Sequence, residues 1–186
     1  MPISAAWSQG GQTFFALLSQ TAGLSRQPGC METTTDTTKA RIEHWKVAPG
    51  AMKAMLGLEQ ALKTSGIDPV QFEFIKMRAS QINGCAYCMN MHFNDGLKAG
   101  ISAQRLQLLP GWREVAHLYT PAERAVIEWT EKLTRLPGGH VSDEDFASIR
   151  EHFSEEQVTW ITLAIATINA WNRFGVGFRL PVEPAA

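Results

Sequence analysis

The chain has 186 residues, 45% of apolar type and 19% charged, with 17 basic and 18 acidic side chains and a formal net charge of −1. That is the composition of one soluble globular domain, long enough to bury roughly two-thirds of the surface its unfolded form exposes, so neither disulfides nor metal are needed merely to fold. The balanced charge leaves no footprint for nucleic acid or an anionic membrane, and three cysteines do not make a secreted disulfide framework.

Residues 1–25 contain no Lys or Arg, and their best apolar run is Phe14 to Leu18. A secretory leader needs a basic start and a longer apolar stretch, so the chain reads as cytoplasmic. No stretch reaches the ~18 consecutive apolar residues of a membrane helix. The nearest, Ile161 to Ile168, is interrupted by Thr162 and Thr167. Up to about residue 38 charge is confined to Arg26, Glu32 and Asp36 amid Ser, Thr, Gln and Gly. Residues 1–38 are therefore expected to be a flexible N-terminal extension and residues 39–182 the folded domain. Met31 opens METTTDTTKARIEHW, a natural beginning for that domain, so residues 1–30 read as an extension or as an artefact of start-site choice, and Cys30 within them has no assigned role.

From residue 39 onward the boundary signals are helix signals, with no period-2 run and hairpin turn, and the expected fold class is all-α. A first helix runs from Ala48-Pro49 to Ser65, with Met52, Met55, Leu56, Leu58 and Leu62 at helical spacing and Gly66 behind it. Asp68-Pro69 supplies an N-cap and N1 proline for a second helix to about Ile82, broken by Asn83-Gly84. A third runs from about Cys85 to Gly100, and Ser102 caps a short one through Leu109. Thr120 to Glu123 form a capping box for a helix to Leu136, Ser142 caps another to His152, and Ser154 to Gln157 open the last, to about Arg173. That makes about seven helices. The last carries Val158, Trp160, Ile161, Leu163, Ile165, Ile168 and Trp171 around most of its circumference, so it should be central, in the protomer core or in a subunit interface.

The chemistry concentrates in one segment, where Cys85, Cys88 and His92 stand in C-x-x-C-x-x-x-H spacing at a helix start. At about 100° per residue the three fall within one narrow arc. Two thiols a turn apart can close a reducible disulfide, and the positive end of a helix stabilises a thiolate. A histidine four residues after Cys88 can exchange that thiol's proton. Spacing alone leaves the attacking cysteine open: the helix terminus favours Cys85 and nearness to His92 favours Cys88. Zinc binding is an alternative, but three ligands on one helix lack the fourth that a structural site takes from a second knuckle. Two buried cysteines acting as small apolar residues beside a core histidine are another. A thioredoxin fold would need a βαβ pattern, and none is visible, so a helical redox protein is required. His44, His117, His140 and His152 are read as surface or capping residues, and the six tryptophans as packing.

Ile-Asn-Gly-Cys-Ala-Tyr-Cys followed by His92, with Glu73 twelve residues before Cys85 and Ile168-Asn-Ala-Trp-Asn-Arg173 in the last helix, resembles the core of the alkylhydroperoxidase AhpD-like family within the carboxymuconolactone decarboxylase superfamily. The resemblance spans roughly residues 40–180 and implies an all-helical protomer, with the redox pair at a helix N-terminus, that assembles into a homotrimer or homohexamer. It implies a peroxidase site in which Cys88 is the peroxidatic thiolate, Cys85 the resolving thiol, and His92 with Glu73 the proton relay. Its substrate would be hydrogen peroxide or an organic hydroperoxide, its electron donor a dithiol, lipoyl-bearing or thioredoxin-like, and no cofactor is expected. Glu73 taken alone reads as half of an exposed pair with Lys76; flanked by Phe72, Phe74 and Ile75, its carboxylate needs a partner, and His92 suits. Tyr87 stands where the best-known peroxidase members carry histidine, which removes one proton carrier. The rival readings are a γ-carboxymuconolactone decarboxylase, which has no use for neighbouring thiols, and a non-catalytic redox-sensing oligomer.

Overall fold

The computed structural model describes residues 36–184. Cys30 and most of the expected extension lie outside the described residues. Among those described, every regular element is helical: α1 (His44–Val47), α2 (Pro49–Leu62), α3 (Pro69–Asn83), α4 (Ala86–Lys98), α5 (Ala103–Leu108), α6 (Pro121–Thr134), α7 (Asp143–Arg150) and α8 (Glu155–Gly177). Single 3₁₀ turns cover Leu109–Gly111, Ala116–Leu118 and Leu136–Gly138. The count exceeds the expected seven by α1, whose single turn is too short to show a period.

Capping chemistry sets most of the starts. Asp68 accepts the Val70 and Gln71 N–H groups at 2.9 and 3.2 Å. Thr120 with Glu123, Ser142 with Asp145 and Ser154 with Gln157 each close a reciprocal box. Each such cap satisfies backbone donors that the first turn leaves unpaired and contributes about 1 kcal/mol. Gly84 ends α3 at φ 66°, a left-handed conformation that turns the chain directly into Cys85. The expected end of α8 near Arg173 falls one turn short, because Gly175 costs a helix only about 1 kcal/mol and Phe174 and Phe178 on either side pack on His44.

α8 is central, packing against α2, α3, α4, α6 and α7. Val158, Ile161, Ala164, Ile165 and Ile168 meet Ile75 and Ala79 of α3 and Val126 and Trp129 of α6 in the larger core. A second core joins Phe74 and Met77 of α3 to Ile101, Leu106, Leu109, Tyr119 and Ile127. Each fully buried aliphatic side chain contributes about 1.5–3 kcal/mol relative to exposure. α3 serves both cores and is as central as α8, with seven consecutive buried residues from Phe74 to Ser80. Its sequence hides this because two of the seven are Lys76 and Arg78, whose charges are neutralised inside the protein. Lys76 Nζ reaches Glu59 Oε2 at 2.7 Å, and Arg78 Nε donates to Glu131 Oε1 at 2.7 Å.

Candidate active site

The two cysteines meet at the junction of α3 and α4. Cys85 is the N-cap of α4, with extended backbone at φ −83° and ψ 94°, and its sulfur accepts the Cys88 N–H at 3.3 Å. It therefore stands outside the helical arc expected for all three residues, although Cys88 and His92 do lie one turn apart on α4. The extended N-cap brings the Cα atoms to 5.3 Å, and Cys85 and Cys88 are joined in a disulfide. Cys88 sits in the first turn of a 13-residue helix, where unpaired N–H groups and the helix dipole favour a thiolate once the pair is reduced.

Glu73 and His92 come together from different helices: His92 Nδ1 lies 3.0 Å from Glu73 Oε2, both side chains largely buried. The exposed pairing of Glu73 with Lys76 does not occur; Lys76 turns to Glu59 instead. With Nδ1 held by a carboxylate, His92 presents Nε2 as its free basic nitrogen, and that atom is buried without a partner among the described residues. His92, Glu73 and Cys88 all line one cavity of about 340 Å³. Its walls combine the apolar side chains of Trp45, Leu56, Met91 and Trp171 with the charged Glu59, Lys76 and Asp95. Cys85 is 1% exposed and is not among the lining residues. The two sulfurs thus differ in packing: Cys88 faces the cavity and Cys85 does not.

Three residues of the Ile168–Arg173 motif of α8 hold this arrangement from behind. Asn83 Nδ2, just before the Gly84 turn, donates to Asn169 Oδ1 at 2.9 Å and to Asn172 Oδ1 at 2.8 Å. Asn172 Nδ2 in turn donates to Ser80 Oγ at 3.1 Å. Trp171 Nε1 donates to Glu59 Oε1 at 2.9 Å, which ties the motif to the Lys76 pair at the cavity wall. Gly175 lies one turn further on, where a Cβ would come within 2.5 Å of Cys85 Sγ and 3.3 Å of Cys88 Sγ. Ser80, Asn83 and Gly175 were not singled out from the sequence as site residues. Asn83 reads there as a helix breaker and as part of the Ile-Asn-Gly-Cys-Ala-Tyr-Cys segment, with no role of its own, and no pattern marks the other two.

The surface reading fails for His44. The residue is 5% exposed; its ring stacks on Phe174 and packs at a tilt against Phe178, with centroids 6.0 and 5.5 Å away, and lines the same cavity as Cys88. The reason is that α1 folds back onto the end of α8, where Arg41 N–H and its guanidinium bond the Phe178 and Gly177 carbonyls. His117, His140 and His152 are exposed as expected. The tryptophans divide: Trp112 and Trp129 pack in the cores, whereas Trp45, 49% exposed and stacked on Trp171, borders the cavity with it. No group of three or more His, Cys, Asp or Glu side chains among the described residues is placed to hold a metal ion.

Fold and site together define an all-helical protein that carries a Cys-x-x-Cys disulfide at a helix N-terminus, beside a carboxylate-held imidazole. The sequence profile of the Carboxymuconolactone decarboxylase family matches residues 49–132. The chain is similar to the uncharacterized protein YdfG of Bacillus subtilis (strain 168), at 40% identity over 136 residues that cover 73% of this chain and 92% of YdfG. It is also similar to a protein of unknown function from Agrobacterium tumefaciens, proposed there as an antioxidant defence protein AhpD, with 42% identity, a TM-score of 0.74, and coverage of 78% of this chain and 100% of that one. The debrominase Bmp8 shares the fold at 22% identity and a TM-score of 0.65, over 73% of this chain and 72% of Bmp8. This chain belongs to the AhpD-like group of the carboxymuconolactone decarboxylase superfamily.

Proposed function

We propose that this protein is a thiol-dependent peroxidase that reduces hydrogen peroxide or organic hydroperoxides through Cys88 and Cys85. The observation that carries the reading is that Cys88, but not Cys85, opens onto a cavity that also holds His92 with its Nδ1 on Glu73. In the reduced protein His92 Nε2 takes the Cys88 proton, and Glu73 stabilises the imidazolium that forms. The thiolate attacks the distal oxygen of the hydroperoxide. A sulfur–oxygen bond forms, the oxygen–oxygen bond breaks with its electron pair passing to the departing oxygen, and the imidazolium returns the proton to give an alcohol or water. Cys88 is left as sulfenic acid. The Cys85 thiol then attacks that sulfur, a water leaves, and the disulfide seen in the structure results. A dithiol donor, lipoyl-bearing or thioredoxin-like, reduces it again.

The fold by itself hosts more than one chemistry, a debrominase among its neighbours. The thiol pair and its base are what favour peroxide reduction, and decarboxylation would need neither sulfur. Assembly into a homotrimer or homohexamer is part of the reading, supported by exposed Val47, Leu56, Leu58 and Leu97, as is a reducing, cytoplasmic setting. No helix among the described residues is long and apolar enough to cross a membrane. The test is peroxide consumption with a dithiol reductant by wild type, Cys88→Ser, Cys85→Ser and His92→Ala. Cys88→Ser is expected to abolish turnover, Cys85→Ser to stop after one peroxide with a trappable sulfenic acid on Cys88, and His92→Ala to slow the first step by about 10²-fold or more. Equal rates in all four proteins would refute the mechanism, and sulfenic acid trapped on Cys85 in Cys88→Ser, with none on Cys88 in Cys85→Ser, would reverse the two roles.

A further inference from the structure

Among the described residues four buried side-chain nitrogens lack a hydrogen-bond partner: two are arginine Nε atoms, and the other two are His92 Nε2 and His44 Nδ1. Both imidazoles line the cavity that Cys88 lines. An unpaired buried nitrogen costs about 1–3 kcal/mol, and the packing of His44 against Phe174 and Phe178 would be served by a carbocyclic ring without that cost. The nitrogen therefore has a use that packing does not explain, and the cavity is where it can be met.

The two rings are equipped differently. His92 is paired through Nδ1 with Glu73, a carboxylate placed to stabilise the imidazolium that forms when the ring carries a proton. His44 has no carboxylate in ion-pair contact among the described residues and lies against Trp45, Phe174 and Phe178, so its part is to offer an N–H. We propose that His44 is a second catalytic imidazole, whose Nδ1–H hydrogen-bonds the departing oxygen of the hydroperoxide while His92 carries the proton. The inference rests on the peroxidase reading above. As Cys88 sulfur bonds to the distal oxygen, the oxygen–oxygen electron pair collects on the proximal oxygen. His44 donates a hydrogen bond to that developing alkoxide, the His92 imidazolium supplies the proton, and the products are Cys88 sulfenic acid and an alcohol. His44 neither gains nor loses a proton in the step.

Such a donor matters in proportion to how poor the leaving group is. The test measures oxidation of reduced Cys88 by stopped flow with two oxidants, tert-butyl hydroperoxide, which expels an alkoxide, and peracetic acid, which expels acetate. His44→Phe keeps an aromatic ring on Phe174 and Phe178 and removes the N–H; His44→Asn places an amide N–H near the Nδ1 position. His44→Phe is expected to slow the hydroperoxide reaction by about 10²-fold and the peracid reaction by no more than about threefold, and His44→Asn to recover about tenfold of the hydroperoxide loss. His44→Leu gives the same pair of rates should the phenylalanine disturb the aromatic cluster. A wild type oxidised by the hydroperoxide whose His44 variants slow both oxidants equally, or neither, overturns the role of His44 alone. A wild type whose Cys88 is oxidised by neither peroxide overturns the peroxidase reading and this inference with it.

Discussion

Replacing Gly175 by alanine separates a packing constraint on the redox pair from ordinary helix energetics. In the interior of a helix Gly→Ala normally stabilises by about 0.5–1 kcal/mol, because alanine has less backbone freedom to lose. Here the added Cβ would lie 2.5 Å from Cys85 Sγ and 3.3 Å from Cys88 Sγ. Ordinary contact between heavy atoms is about 3.5–4.0 Å, so the Cys85 sulfur and the α8 backbone must separate by about 1 Å. Both are buried and tied, the sulfur by its bond to Cys88 and α8 by Asn172 to Ser80. Overpacking of this kind costs about 1–3 kcal/mol, which exceeds the helix gain. Gly175→Ala should therefore lower the stability of the oxidised protein by up to about 2 kcal/mol. In a Cys85→Ala background the nearer sulfur is gone and Cys88 Sγ, freed from the disulfide, has only a few tenths of an ångström to yield, so the same substitution should instead stabilise by up to about 0.5–1 kcal/mol. The assay is urea denaturation of the four proteins, followed by tryptophan fluorescence and far-UV circular dichroism, with the coupling read from the cycle. A Gly175→Ala effect of the same sign and size in both backgrounds would refute the argument that α8 needs a glycine to admit the pair.

Two further substitutions probe the charges. Glu73→Gln keeps a group near His92 Nδ1, 3.0 Å from Glu73 Oε2, but removes the charge that stabilises the imidazolium. Cys88 oxidation should slow by about 10²-fold, and alkylation of reduced Cys88 by iodoacetamide should move to higher pH; an unchanged pH profile would remove Glu73 from the relay. Glu131 is buried, and although burial by itself pushes its carboxyl up, hydrogen bonds from Arg113 and Arg78 outweigh that and hold it below the ordinary carboxylate range. A depressed folded-state value means that its stabilisation is complete above the unfolded value of about 4.3 and is lost as pH falls through the folded one. Glu131→Gln leaves Arg78 buried without its counter-charge and should cost about 3–5 kcal/mol at pH 7. Thermal melts between pH 2 and 7 should then show a shallower acid limb for the variant than for wild type, and parallel limbs would show that Glu131 does not govern acid unfolding.

Local chemistry made much of the architecture legible beforehand. Asp68, Thr120, Ser142 and Ser154 cap the helices they were expected to cap, because an N-cap needs only a side-chain oxygen and the two or three residues that follow it. Cys85, Cys88 and His92 were recognisable for the same reason: they lie within eight positions of one another. α1 was missed because one turn carries no period, and with it the burial of His44, which depends on contacts with Phe174 and Phe178 more than a hundred positions away. Gly175 was equally silent, since a glycine in a helix looks like a minor defect until the sulfur it faces is known.

The amino-acid sequence by itself determined the helical fold class and the presence of a thiol pair with a histidine one turn beyond it. Capping, periodicity and short spacing are properties of neighbouring residues, and the chain cannot avoid displaying them. Only the tertiary structure decided which sulfur faces the cavity, that Glu73 turns to His92 rather than to Lys76, and that His44 enters from α1. Each of these depends on which surfaces of separate helices are pressed together. That is set by the packing of α3 and α8 through the middle of the protein, which no local pattern contains.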